Sequence, residues 1–318
     1  MLYRVINNTT KSTPTSERGK NIMENLTFGI EIELTGVTRR KAAGIIAAHF
    51  GTSAYYEGTA YKTYAAKDQQ GRIWKAMRDS SIHASKKVNG QIESASDEYK
   101  TEVVSPILRY EDIKDLQEIV RSLRAAGAIA NSSTGIHIHI GAERFTAKTL
   151  RNLANIMASK ESLLKKALQI LPARQTYCEP ASQSFMNRLN REKPQTLEAL
   201  KNIWYEGRPE RSSYHYDNSR YRMLNLHSTF SKGTVEFRMF NSTTHAGKIK
   251  AYIQLCLAIA SQALNTTKAS CQKHETDNPK YAMRCWLLRL GLIGDEFKTA
   301  RYHLLANLEG NSAWRHAA

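Results

Sequence analysis

The residues in this sequence that could do chemistry recur two apart. Glu31 and Glu33 stand in FGIEIEL, His137 and His139 in GIHIHIG, and Glu236 and Arg238 in TVEFRMF, while Glu102 stands alone in TEVVSP. A spacing of two puts both members of a pair on one face of a β-strand. Phe28, Ile30, Ile32 and Leu34 then point the other way in the first stretch, Ile136, Ile138 and Ile140 in the third, and Val235, Phe237 and Met239 in the fourth. Two carboxylates about 7 Å apart along one strand face repel each other, so a sheet gains nothing by pairing them unless a cation joins them. Carboxylates suit hard cations such as Mg2+ or Mn2+, and a mixed Glu and His set differs from a closed structural zinc site. Divalent metal beside an arginine is equipment for phosphoryl transfer.

Each stretch also has a plain structural reading. Glu31 and Glu33 fit a solvent-facing strand, His137 and His139 fit two ordinary strand histidines, and Glu236 with Arg238 fits a surface ion pair. The joint pattern carries the inference: stacked in one sheet, the polar faces converge into a basin of Glu31, Glu33, Glu102, His137 and Glu236 with Arg238 beside it.

The elements that must position this basin follow from periodicity. Strands are expected at about 27–35, 53–57, 60–66, 72–78, 98–104, 136–140, 221–227 and 234–240. Helices are expected at 39–50, opened by Thr38 and closed by Gly51, and at about 111–126, 146–170, 181–190, 195–204, 246–265, 280–290 and 295–308. Residues 1–22 are polar and read as a flexible tail. The segment from Arg78 through Lys86, Lys87, Asn89 and Gly90 reads as a polar, mobile, substrate-contacting loop. The order implies one α+β catalytic domain over 23–318, with a mostly antiparallel sheet, helices on one side, and 172–209 as a lid or insertion.

Composition narrows the class. The 318 residues are 41% hydrophobic and 24% charged, enough for a sizeable core. No apolar run is long enough for a transmembrane helix, and the amino terminus has no signal-peptide core. Cys178, Cys256, Cys271 and Cys285 are widely spaced, as for reduced thiols, and a cytoplasmic location without membrane association is expected. The net charge of +17 predicts attraction to polyanions such as nucleic acid, nucleotide phosphates or acidic substrates.

In this order, FGIEIE, RDSS, TEVVSP, TGIHIHIG, SRYRMLN and TVEFRMF resemble the amidoligase family of the glutamine synthetase-like carboxylate–amine ligases, from about residue 26 to 265. The resemblance implies a curved antiparallel sheet forming a funnel, with helices packed on the outer face. It implies ATP-dependent joining of a carboxylate substrate and an amine substrate through an acyl phosphate. It matches Glu31, Glu33, Glu102, His137 and Glu236 to metal ligands, Arg238 to the phosphate-binding arginine, and His139 to the second histidine of the motif. Arg220 and Asn225 match positions that touch nucleotide or substrate, and Asp79 an acidic loop position that assists the amine. Ser80 stands where that loop more often has glycine. Two other classes fit parts of the pattern: a phosphotransferase on the same scaffold, and a non-catalytic binder of nucleic acid or another polyanion.

Overall fold

The structure, a computed structural model, describes residues 23–314; the tail expected over 1–22 lies outside the described residues. The strands are β1 (Phe28–Leu34), β2 (Ala54–Tyr56), β3 (Tyr64–Lys67), β4 (Ile73–Met77), β5 (Ser85–Val88), β6 (Gln91–Ser94), β7 (Thr101–Val104), β8 (Gly135–Gly141), β9 (Leu224–Asn225) and β10 (Thr234–Asn241). Eight of them form an open sheet in the order β2-β3-β4-β7-β1-β8-β10-β9, while β5 and β6 pair separately. Every pairing is antiparallel. β1 lies between β7 and β8, so the strand carrying Glu31 and Glu33 is central.

The apolar sides of these strands make the core. Phe28, Ile30, Ile32, Leu34, Val103, Ile136, Ile138, Ile140, Val235 and Phe237 are each at most 2% exposed, and burying a side chain of this size contributes roughly 1.5–3 kcal/mol. Against the sheet pack the helices α1 (Arg39–Phe50), α3 (Ala147–Leu168) and α7 (Ala246–Asn265), with α2 (Ile113–Ala125) lying against α1 and α7. α1 starts where Thr38 accepts from the Lys41 N–H at 3.2 Å and ends at Gly51 with φ 65°, a left-handed cap that glycine adopts without a Cβ clash. The fold is therefore α+β with the expected antiparallel sheet and the helices covering its apolar face. Among the described residues no helix is long and apolar enough to cross a membrane.

Several local expectations are corrected. The loop after Arg78 contains the β5–β6 hairpin, turned by Asn89 (φ 50°) and Gly90 (φ 84°); an Asn-Gly pair with both φ positive matches the strand twist, a hairpin signal the loop reading passed over. The strand expected from 98 begins at Thr101, because Asp97–Tyr99 form a 3-10 turn. The strand expected over 221–227 shrinks to Leu224–Asn225, followed by α6 (His227–Lys232). Asn225 Oδ1 accepts from the Ser228 N–H at 3.4 Å, which turns the chain out of the ladder. In β10 a bulge follows Phe237, so Phe240 rather than Met239 lies opposite Ile136. Phe240 then stacks on Tyr252 of α7.

The 172–209 region holds a 3-10 turn at Pro172–Tyr177 and two helices, α4 (Gln183–Glu192) and α5 (Leu197–Trp204). α4 lies on α3, where Asn155 and Asn190 exchange hydrogen bonds of 2.8 Å. The 3-10 turn is the part that reaches the polar face of the sheet. The carboxy-terminal helices α8 (Pro279–Arg289) and α9 (Lys298–Leu305) join the core, α9 packing on α7 and α3.

Candidate active site

Register brings the polar residues into rows across the sheet. Glu33 lies opposite Glu102, Glu31 opposite His137, and His139 opposite Glu236, which in turn faces Asn225. Residues directly opposite in an antiparallel pair project to the same side, so β7, β1, β8, β10 and β9 together line one acidic trough. Asp79 extends it from the far side, because Lys75, Met77 and Asp79 continue the alternation of β4 and Met77 pairs with Glu102. Asp79 Oδ1 accepts from the Ser81 N–H and Oγ–H at 2.7 Å, which orients the carboxylate.

Three sets of donor atoms in the trough lie within 4.8 Å of one another: Glu31, His139 and Glu236; Glu31, Glu102 and His137; and Glu33, Asp79 and Glu102. These sets share members, so the trough is one continuous cluster. His137 Nδ1 is 2.9 Å from Glu31 Oε2. His139 Nδ1 bonds the Thr234 hydroxyl at 2.9 Å, which leaves Nε2 3.3 Å from Glu31 Oε1 and 3.9 Å from Glu236 Oε2. The Nε2 atoms of His137 and His139 are buried and lack a hydrogen-bond partner among the described residues. Buried imidazole nitrogens without partners, set among carboxylates, suit a hard divalent cation that takes mixed oxygen and nitrogen ligands. The residues present therefore fit a metal.

The electrostatics divide the carboxylates. Burial works to raise Glu236, but Arg238, then His139 and His137, outweigh it and hold the carboxyl at about 2. Burial also opposes ionisation of Glu31, yet the nearby His139 and the hydrogen bond with His137 keep it well below the usual range. Glu33 and Glu102 go the other way. Burial pushes both up, and Glu31, Glu33 and Asp79 push Glu102 well above the ordinary value. For His139 the carboxylates of Glu236 and Glu31 overcome burial and raise it. One end of the trough thus holds settled ion pairs, and at the other burial and crowding of like charges hold Glu33 and Glu102 above the ordinary carboxylate value.

Arg238 donates to Glu236 Oε1 at 2.5 Å and is 5% exposed. Asn225 donates to Glu236 Oε2 at 2.7 Å and is buried, so it orients that carboxylate. Arg220 sits at the rim. Its guanidinium lies 5.6 Å from the ring centroids of both Tyr216 and Tyr221, and Arg238 lies 5.9 Å from Tyr221. Tyr216, Arg220, Tyr221 and Arg238 thus form a ladder from the exposed edge to the floor. The Tyr61 and Tyr216 hydroxyls, 3.1 Å apart, tie the β2–β3 turn to it. Two other arginines of this basic stretch are paired: Arg211 grips Asp217 at 2.7 and 2.9 Å, and Arg222 holds Glu179.

Glu31, Glu33, Asp79, Glu102, His137, His139, Asn225, Glu236 and Arg238 line this trough, and Arg220 lies at its rim. Sequence reasoning missed four others. Arg174 reaches in from the 3-10 turn, with Nη1 3.7 Å from Glu33 Oε2. Gly135 donates its N–H to Glu33 at 2.6 Å. Tyr221 separates the two arginines of the ladder, and Lys232 lies 4.0 Å from Glu31 at the rim. The Tyr and Arg spacing in 214–222 was a visible signal for the ladder; nothing local marks Arg174.

Comparison with known proteins gives one family. A family model described as "Putative amidoligase enzyme" matches residues 24–260, a span containing every residue of the trough and its ladder. None of the curated proteins compared matches the chain. With most of its length inside that family model, the chain belongs to the amidoligase family.

Proposed function

We propose that this protein is an ATP-dependent carboxylate–amine ligase that forms an amide through an acyl phosphate. Family membership supports a ligase-type function in general. The observation that carries the finer reading is the convergence of Glu31, Glu33, Glu102, His137, His139 and Glu236 on one sheet face, with Arg238 on its floor.

In this reading a substrate carboxylate oxygen attacks the terminal phosphorus of ATP, releasing ADP and leaving an acyl phosphate. The amine nitrogen then attacks the acyl carbon, the C–O bond breaks, and phosphate departs as the amine loses a proton. Glu31, Glu33, Glu102, His137, His139 and Glu236 would hold Mg2+ or Mn2+, which would offset the negative charge of the nucleotide phosphates. Arg238 steadies charge on the moving phosphoryl group. The ladder of Tyr216, Arg220 and Tyr221 gives the nucleotide a stacking and cationic edge. Glu236 is held by Arg238 and Asn225, so its carboxylate keeps one orientation while the substrates exchange. Asp79, at the partly exposed end, is placed to take the proton from the amine.

The test is hydroxylamine trapping. Purified protein with ATP, Mg2+ and a panel of amino acids, peptides and dicarboxylates should release ADP and form a hydroxamate with one carboxylate class. Glu33→Gln and Arg238→Met should abolish both signals while leaving the circular dichroism spectrum unchanged. ADP release that persists undiminished in Glu33→Gln defeats the proposal. A stable phosphorylated amine in place of hydroxamate would make the protein a phosphotransferase.

A further inference from the structure

The trough holds a second arginine as deeply buried as Arg238. Arg174 is 4% exposed, and its Nε and Nη2 have no hydrogen-bond partner among the described residues; Arg238 Nε is likewise without one. Glu33 is the carboxylate near Arg174, and its nearer oxygen already accepts from Gly135. Cys178 lies close to both guanidiniums, but burial pushes its thiol up, and its sulfur donates to the Arg174 carbonyl at 3.1 Å, so it brings no negative charge. Two neighbouring buried cations with unmet donors are costly unless an anion joins them.

The backbone is shaped to admit this arrangement. A Cβ at position 135 would fall inside the Arg174 guanidinium, so glycine there is what allows the arginine to lie flat over the end of β8. Gly135 carries no positive φ, so close approach is the reason for glycine at this position.

From these contacts we infer that Arg174 and Arg238 form a two-guanidinium pocket for a terminal phosphoryl group. Three unmet donor nitrogens and two positive charges match a tetrahedral dianion better than a carboxylate, which has one charge and two oxygens. The proposal rests on the ligase reading only for the origin of that group, the end of the nucleotide triphosphate. Arg238 serves both Glu236 and the anion, while Arg174 has Glu33 as its one ion-pair partner among the described residues and is the more dedicated of the two.

The test uses the full chain and inorganic phosphate. Calorimetric titration should give binding to the wild type, weakened about tenfold or more in Arg174→Met, the loss expected for a charge-assisted hydrogen bond. Gly135→Ala keeps both side-chain charges and the N–H to Glu33, but displaces the guanidinium; it should show the same loss. Arg174→Lys should recover part of the affinity. With Mg2+, the wild type should prefer the imido analogue of ATP over ADP, and Arg174→Met should lose that preference. Unchanged phosphate affinity in folded Arg174→Met or Gly135→Ala would overturn the pocket. Equal weakening of ADP and the imido analogue would overturn its placement at the terminal phosphoryl group. Failure of every ligase assay with phosphate binding intact would remove the ligase reading and leave the pocket standing.

Discussion

Glu102→Gln should make the metal-free protein more stable and the Mg2+-bound protein less so. Glu102 shares a donor set with Glu31 and another with Glu33 and Asp79, with ligand atoms within 4.8 Å. At an effective dielectric of about 20, two unit charges at that distance repel by about 3–4 kcal/mol. Proton uptake limits the penalty. With an unfolded value near 4.5, holding the carboxyl neutral at pH 7 costs at most about 3.4 kcal/mol, which is about 2.5 units at about 1.36 kcal/mol each. Allowing for new amide contacts, Glu102→Gln should gain about 1–3 kcal/mol in chelator. The sign follows from the raised folded value. The wild type binds a proton on folding, so its stability is greatest at low pH and falls as pH rises from the ordinary carboxylate range through Glu102's folded value. The variant lacks that slope. In Mg2+ at about a hundred times its dissociation constant the wild type should gain about 2.7 kcal/mol, and the variant much less, so the order of stabilities should reverse. Urea unfolding with chelator and with Mg2+, from pH 5 to 8, reads all three effects. A variant that is less stable than wild type in chelator, or one with an undiminished Mg2+ gain, refutes the reasoning.

Two further expectations concern the frame. Asp112 accepts from Arg72 at two bonds of 2.9 Å and from the Arg109 N–H at 2.7 Å; although burial opposes ionisation, Arg72 and that N–H hold its value down. Asp112→Asn should cost about 1–3 kcal/mol above the unfolded carboxylate pKa. The wild-type advantage should vanish as pH falls through the depressed folded value, as read by acid unfolding of the two proteins. Gly36 has φ 82°, and a Cβ there would collide with the Gly127 carbonyl. Gly36→Ala should cost at least about 1–3 kcal/mol and lower the urea midpoint, with the slope unchanged.

The sequence by itself determined the strands that matter and the direction of their side chains. Alternation of Ile with Glu or His in 28–34 and 135–141 separates a core face from a polar one, since a strand has only two sides. It also set α1 and α7 to the residue, through Thr38, Gly51 and a continuous apolar stripe. Alternation failed where a ladder was interrupted. The bulge after Phe237 and the short β9 depend on how β8, β9 and β10 meet, and no local pattern encodes that meeting.

Tertiary structure alone decided which polar residues touch. Glu31 and His137 are 106 positions apart, and only the register of β1 against β8 places them side by side. It also supplied Arg174, from a stretch with no periodicity, through the gap that a glycine leaves in β8. Sequence spacing fixes the face on which a side chain stands, because local backbone geometry sets it. Which charges share a buried space depends on long-range pairing, and that pairing is settled when the strands bury their apolar faces together.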